Sequence, residues 1–192
     1  MDRYIAFDCE TGGLTDNCSL LTAYFVILES DLTTVVAELD LKVKPNANQP
    51  YVVTDEALAI NGINLIEHSK VAMTMGQAAT EFYNFLMANN PNGKGKFIPV
   101  GQNIAFDEMF LKGKLLSEAN WNKLISYRRL DTGVIAQFMK MTGHMDKDVS
   151  GSLGSIASFL GIPHPNAHNA KADVVTAVKV LRRMKKVMEK HD

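Results

Sequence analysis

The spacing of apolar residues is strand-like in the first third of the chain and turns helical after it, and that change limits the fold more than any other feature. Arg3 to Asp8 reads as a short strand ending in acid, and Leu20 to Leu28 as a longer β-rich run. Thr33 to Val43 then alternates Val36, Leu39, Leu41 and Val43 with Glu38, Asp40 and Lys42, with an irregularity near Ala37. Short connections between the three runs predict an antiparallel meander. Beyond a Pro45 to Pro50 loop the period becomes helical: Thr74 to Asn89 places Ala78, Phe82, Phe85 and Leu86 on one face behind Thr74 as a cap. Strand and helix signals then alternate. Phe97 to Val100 predicts a buried strand, Ile104 to Leu116 a helix, Tyr127 to Leu130 a strand, and Thr132 to Met141 a helix. Ser152 to Leu160 predicts a short helix stopped by Gly161 and Pro163. Asp173 to Lys190 predicts a long amphipathic helix with Val174, Ala177, Val178, Leu181, Met184 and Met188 on its apolar stripe. The expected fold is α/β: a mixed five-stranded sheet, antiparallel meander first and parallel strands after, flanked by helices in one domain over residues 1–192.

Composition narrows the class further. A chain of 192 residues with 46% hydrophobic and 21% charged residues can bury a core without staples. Cys9 and Cys18 are too few for a disulfide framework and form no CxxC pair, which fits a reducing compartment. Met1-Asp2-Arg3-Tyr4 does not open a signal peptide, and no apolar run is long enough to span a bilayer, so a cytoplasmic protein without membrane contact is expected. The formal net charge of −1 lacks the basic excess usual for nucleic-acid binding. That total conceals an imbalance, because residues 1–61 hold three Lys or Arg against ten Asp or Glu. Asn92-Gly93-Lys94-Gly95-Lys96 superficially resembles a phosphate loop, but it follows a helix and precedes a strand, so a solvated turn is expected.

Three segments carry chemistry. Asp8 and Glu10 flank Cys9 at a strand end, where alternation puts both carboxylates on one face, about 6.6 Å apart at their roots, and turns Cys9 to the other as a small buried hydrophobe. Thr11-Gly12-Gly13-Leu14 lets the chain turn while the backbone approaches something closely. Gly101-Gln102-Asn103-Ile104-Ala105-Phe106-Asp107 runs from a strand into a helix, with Asn103 an N-cap candidate and Asp107 either a dipole-favoured acid or one at the rim of a pocket. His168-Asn169-Ala170-Lys171-Ala172-Asp173 opens the last helix. Five residues turn an ideal helix by about 500°, so His168 must lie on the loop to share a site with Asp173.

Together FDCETGGL, GQNIAFDEMFL and HNAKAD resemble the three exonuclease motifs of the DnaQ-like (DEDDh) 3′-to-5′ exonucleases, within the ribonuclease H-like superfamily. The resemblance covers essentially the whole chain in order. It implies Asp8, Glu10, Asp107 and Asp173 as catalytic ligands for two divalent ions, Mg2+ or Mn2+, with His168 as general base. Asn169 stands where the sister branch carries Tyr, so the match is to the His branch. Hard oxygen ligands suit those ions, and four converging acids without cations would repel, at roughly 4 kcal/mol per pair at 4 Å and an effective dielectric of 20. Asp8 and Glu10 then account for two of the acids in the first third.

The implied activity is hydrolysis of single-stranded DNA or RNA from its 3′ end to nucleoside 5′-monophosphates. By the same resemblance Thr11, Gly12 and Leu14 grip or wedge the terminal base, and Ile60, Asn61, Asn103, Phe106 and Phe110 line its pocket, although helical spacing alone also predicts Phe106 and Phe110 as core. The basic stripe Lys179, Arg182, Arg183, Lys185, Lys186 and Lys190 reads as a phosphate track or as a solvated helix face. Two alternatives stay open: a catalytically silent module that binds a polymerase or another partner, and an RNA-specific exoribonuclease or oligoribonuclease. Nothing in the sequence indicates a homo-oligomer.

Overall fold

The structure, a computed structural model, describes residues 3–90, 93 and 95–189. Its first three strands, β1 (Tyr4–Thr11), β2 (Leu20–Leu28) and β3 (Val35–Lys44), form the expected meander. β1 runs past Asp8 to Thr11 because Cys9, Glu10 and Thr11 find antiparallel partners in Ala23, Thr22 and Leu20. The register shift between β2 and β3 falls between Ile27, paired to Ala37, and Leu28, paired to Val35. Val36 is therefore the unpaired residue, and the irregularity lies where the broken alternation put it.

Between the meander and the long helix lie α1 (Asp55–Asn61), α2 (Leu65–Val71) and a two-residue strand, β4 (Met73–Thr74). β4 pairs parallel to the end of β3, so the sheet has six strands and not the expected five, in the order β4-β3-β2-β1-β5-β6. Two residues carry no period, which is why the sequence does not announce this edge strand. α3 (Met75–Ala88) follows at once. Thr74 caps it with a reciprocal pairing to Gln77, and Ala78, Phe82 and Leu86 are buried.

β5 (Ile98–Gly101) lies parallel to β1, and β6 (Leu130–Asp131) parallel to β5. Between them stand α4 (Ile104–Leu111) and α5 (Glu118–Leu124), and after them α6 (Thr132–Met141), α7 (Leu153–Phe159) and α8 (Ala170–Met188). α4 ends at Leu111 instead of Leu116, because Gly113 adopts a positive φ of 93° and turns the chain. The expected Tyr127–Leu130 strand shrinks to Leu130–Asp131, with Tyr127 exposed. α8 begins three residues early on Asn169, whose side chain accepts from Ala172 N–H. Met188 is exposed and Val180 is buried in its stead. Of the Gly-Lys turn, Asn92 and Lys94 lie outside the described residues; Gly93 and Gly95 have positive φ of 57° and 92°, as a turn requires.

Apolar residues on the two faces of the sheet fix where the site can lie. Ile5, Phe7, Cys9 and Phe25 pack with Phe82, Phe110 and Trp121 on one face. Ala6, Tyr24, Val26 and Val100 pack on the other with Val174, Val178 and Leu181 of α8. The opposite side of α8 (Ala177, Val180, Met184) meets α6 and α7. β1 pairs antiparallel with β2 on one edge and parallel with β5 on the other, so the chain entering β2 and the chain leaving β5 lie on opposite sides of its carboxyl end. A crevice opens there, as it does where strand direction or order switches in other open α/β sheets.

Five further acids of the first third are accounted for by their surroundings. Glu29 bridges to Arg3 at 2.9 Å, Asp31 accepts from the Thr33 and Thr34 N–H groups, Glu38 takes the Tyr24 hydroxyl, and Asp55 and Glu56 sit in the first turn of α1.

Candidate active site

A cavity of about 750 Å³ fills that crevice. Asp8 and Glu10 reach it from β1, and Asp173 from the first turn of α8. Their carboxylate oxygens lie within 4.8 Å of one another. Acids from two segments remote in sequence thus meet on one spot, each fixed by regular structure.

Asp107 arrives from the other side of β1 and is nearly fully buried. β5 stops pairing with β1 at Val100, so the Cys9 N–H has no strand partner; Asp107 Oδ1 accepts it at 2.9 Å and also accepts the Cys9 thiol at 3.0 Å. Cys9 does turn to the far face and is buried as expected, yet it also holds Asp107. Burial pushes the Cys9 thiol well above its ordinary range, with Asp107 and Asp8 adding to the effect, so it stays protonated and can donate.

The carboxylates carry the cost of crowding. Burial first, then the charges of Asp107, Asp173 and Glu10, pushes Asp8 well above the ordinary carboxylate range. Burial, then Asp173 and Asp107, raises Glu10 to about 7. Burial also raises Asp107 to about 7, against the opposing pull of its two Cys9 hydrogen bonds. Glu10 and Asp107 are thus about half-protonated near neutrality on their own. An all-oxygen donor group with this unmet demand for positive charge fits hard divalent cations.

His168 lies on the loop before α8, exposed, with a left-handed φ of 64°, and lines the same cavity. Asn103 is likewise left-handed (φ 54°) and lines it too. Its expected capping role is corrected. Asn103 occupies the N-cap position of α4 but makes no side-chain cap, and the Ile104 N–H goes to Asp131 Oδ2 at 2.8 Å. Asp131 Oδ1 meanwhile accepts from Gly133 and Val134, so one carboxylate caps α4 and α6 together.

Thr11, Leu14, Ile60, Asn61 and Phe106 all line the cavity, with Leu14 83% and Ile60 61% exposed at its mouth. Asn61 also supports the site from behind: its Nδ2 donates to the Thr11 carbonyl at 3.2 Å, tying α1 to the end of β1. Gly12 and Phe110 do not line the cavity. Gly12 is pressed against the crossing chain, where a Cβ would come within 2.3 Å of the Val52 carbonyl. Phe110 is fully buried, its ring tilted against that of Phe106 at 5.2 Å between centroids. In the basic stripe, Arg182 is tied to the Leu32 and Thr33 carbonyls and Lys185 lies 3.7 Å from Glu189, while Lys190 is outside the described residues.

Gln102 and His164 are among the residues that the sequence reading missed. Gln102 lines the cavity, donating to Gly151 O at 2.8 Å and accepting from Thr132 at 2.6 Å. His164 places Nε2 2.7 Å from Asp173 Oδ1. The only signal for His164 was a second histidine four residues before His168 in the same Pro-rich loop.

The fold is one shared with solved nuclease structures, in line with the expectation from the motifs. No protein-family model and no curated protein matches the sequence. Among solved structures the chain is similar to E. coli exonuclease I in a zinc-bound complex with single-stranded DNA (TM-score 0.77, 18% identity, 99% of this chain and 42% of that one). It is also similar to exonuclease I from Methylocaldum szegediense (0.73, 20%, 99% and 42%) and to cell-death related nuclease 4 (0.71, 18%, 97% and 64%). The chain thus spans less than half of the exonuclease I chains. Among the described residues no helix is long and apolar enough to cross a membrane.

Proposed function

We propose that the protein is a metal-dependent 3′-to-5′ exonuclease that hydrolyses single-stranded DNA or RNA to nucleoside 5′-monophosphates. The observation that carries this reading is the convergence of the Asp8, Glu10 and Asp173 carboxylates within 4.8 Å at the floor of the cavity, with buried Asp107 beside them. The likeness in fold to nucleases, and to one crystallised with single-stranded DNA, supports the substrate class.

Asp8, Glu10, Asp107 and Asp173 would hold two divalent ions, Mg2+ or Mn2+. Bound ions of this kind stabilise charge on the attacking and leaving oxygens of a phosphodiester. The chain's own residues do the rest. His168, on the loop side of the cavity, takes a proton from the attacking water at a ring nitrogen and releases it to solvent. Leu14 and Ile60, apolar and exposed at the mouth, pack against the terminal base, and the partly buried Phe106 offers a ring face to it. Asn103 presents an amide that its left-handed backbone leaves uncommitted to the helix.

The test is digestion of matched 5′-labelled single-stranded DNA and RNA oligonucleotides with Mg2+, Mn2+ or EDTA. A ladder shortening from the 3′ end, abolished by EDTA, is expected. No metal-dependent product on either sugar would show the fold serving as a binding module instead.

A further inference from the structure

We infer that His164 is a positioning residue that orients the Asp173 carboxylate for cation binding, an inference that rests on Asp173 being a metal ligand. Their contact is short (2.7 Å) and sheltered, with the two side chains only 13% and 15% exposed. A carboxylate oxygen only accepts, so His164 Nε2 donates, whether the ring is neutral or charged. The bond occupies Oδ1 alone. Asp173 keeps its second oxygen for a cation shared with Asp8 and Glu10, and loses the rotation that would turn that oxygen away.

The loop is built to hold this imidazole still. Gly161, at a positive φ of 68°, follows the end of α7, and Pro163 and Pro165 bracket His164, fixing φ on either side and disfavouring helical backbone at His164. Gly154 in α7 lies beside the ring, where a Cβ would make an ordinary contact 3.5 Å from His164 Nδ1. His168, by contrast, is exposed and makes no hydrogen bond among the described residues. Two histidines on one loop therefore divide the work, one holding a ligand and the other facing the cavity. Hydrogen-bond partners of metal ligands are typically worth 10- to 100-fold in metal affinity.

His164→Gln and His164→Asn separate this role from simple packing. A glutamine amide nitrogen reaches the place of Nε2, whereas an asparagine amide nitrogen stops near Nδ1, short of Asp173. Mn2+ binding to the full chain, read by electron paramagnetic resonance or calorimetry without substrate, is compared for wild type, H164Q, H164N and Asp173→Asn, with urea midpoints in EDTA as the folding control. H164N should bind Mn2+ about 10- to 100-fold more weakly, and H164Q should recover most of that loss, at similar metal-free urea midpoints. Wild-type Mn2+ affinity in H164N overturns the inference, as does equal weakness in H164Q and H164N. An unchanged affinity in Asp173→Asn, or no Mn2+ uptake by the wild type, instead removes the ligand assignment and this inference with it.

Discussion

The end of β1 and the loop before α8 contribute to one cavity by opposite means. At β1 the backbone is pinned on both edges, by β2 as far as Thr11 and by β5 and then Asp107 on the other side. Asp8 and Glu10 have no freedom beyond their own side-chain torsions. The loop has no such ladder. It is shaped by Gly161 and two prolines, carries left-handed Asn166 and His168, and is tied to the site through His164 and Asp173. In the proposed mechanism Asp8 and Glu10 gather cations from the rigid side, and His168 moves the proton from the loop.

The contrast fails if the two sides do the same job. Asp8→Asn should reduce hydrolysis of a labelled oligonucleotide to background and also lower Mn2+ uptake, since it removes charge from the pinned cluster. His168→Ala should lower turnover by about 10²- to 10⁴-fold, the usual worth of a general base, while leaving Mn2+ affinity as in the wild type. A His168→Ala protein that turns over at the wild-type rate sinks the general-base role, and one that loses metal would make the loop part of the charge cluster.

The pH dependence of stability probes the pinned side by itself. Glu10 and Asp107 titrate near 7 in the fold, above the ordinary carboxylate values of 4.5 and 3.8. Between those limits the folded chain binds more protons than the unfolded one, so their contribution is fully present below about pH 4 and is lost as pH rises through about 7. Metal-free protein should therefore melt at a lower temperature at pH 8 than at pH 5. Added Mg2+ or Mn2+ should restore the melting temperature at pH 8 and do little at pH 5, as scanning calorimetry would reveal. A flat profile would mean that the acids are not crowded.

Smaller effects are expected from the supports. Asp131→Ala leaves α4 and α6 without their shared cap and should cost about 2 kcal/mol, at about 1 kcal/mol for each cap, measured by urea unfolding. Leu14→Ala, at the open mouth, should raise KM for short oligonucleotides with kcat nearly unchanged, because it touches the base and not the reacting phosphate.

Much of this was legible in the chain. Alternation through Asp8, Cys9 and Glu10 put two carboxylates on one face, and the meander, α3 with its Thr74 cap and α6 with its bounds follow from period and capping chemistry. Illegible were elements too short to show a period, such as β4, and side-chain roles set by neighbours distant in sequence. Asn103 looked like a cap, but its backbone is left-handed and Asp131, 28 residues on, caps the helix instead. Phe110 had the same helical credentials as Phe106; which of the two meets the cavity depends on where the sheet lies.

Hydrophobic period and side-chain chemistry are local properties, so the layers of the fold and the residue types able to gather cations are written into the chain before it folds. Which acids meet, that Cys9 holds Asp107, and that His164 and not His168 touches Asp173 emerge only on folding. Those are matters of distance between segments, and distance is set by how β1, α4 and α8 pack, which no single stretch of chain encodes.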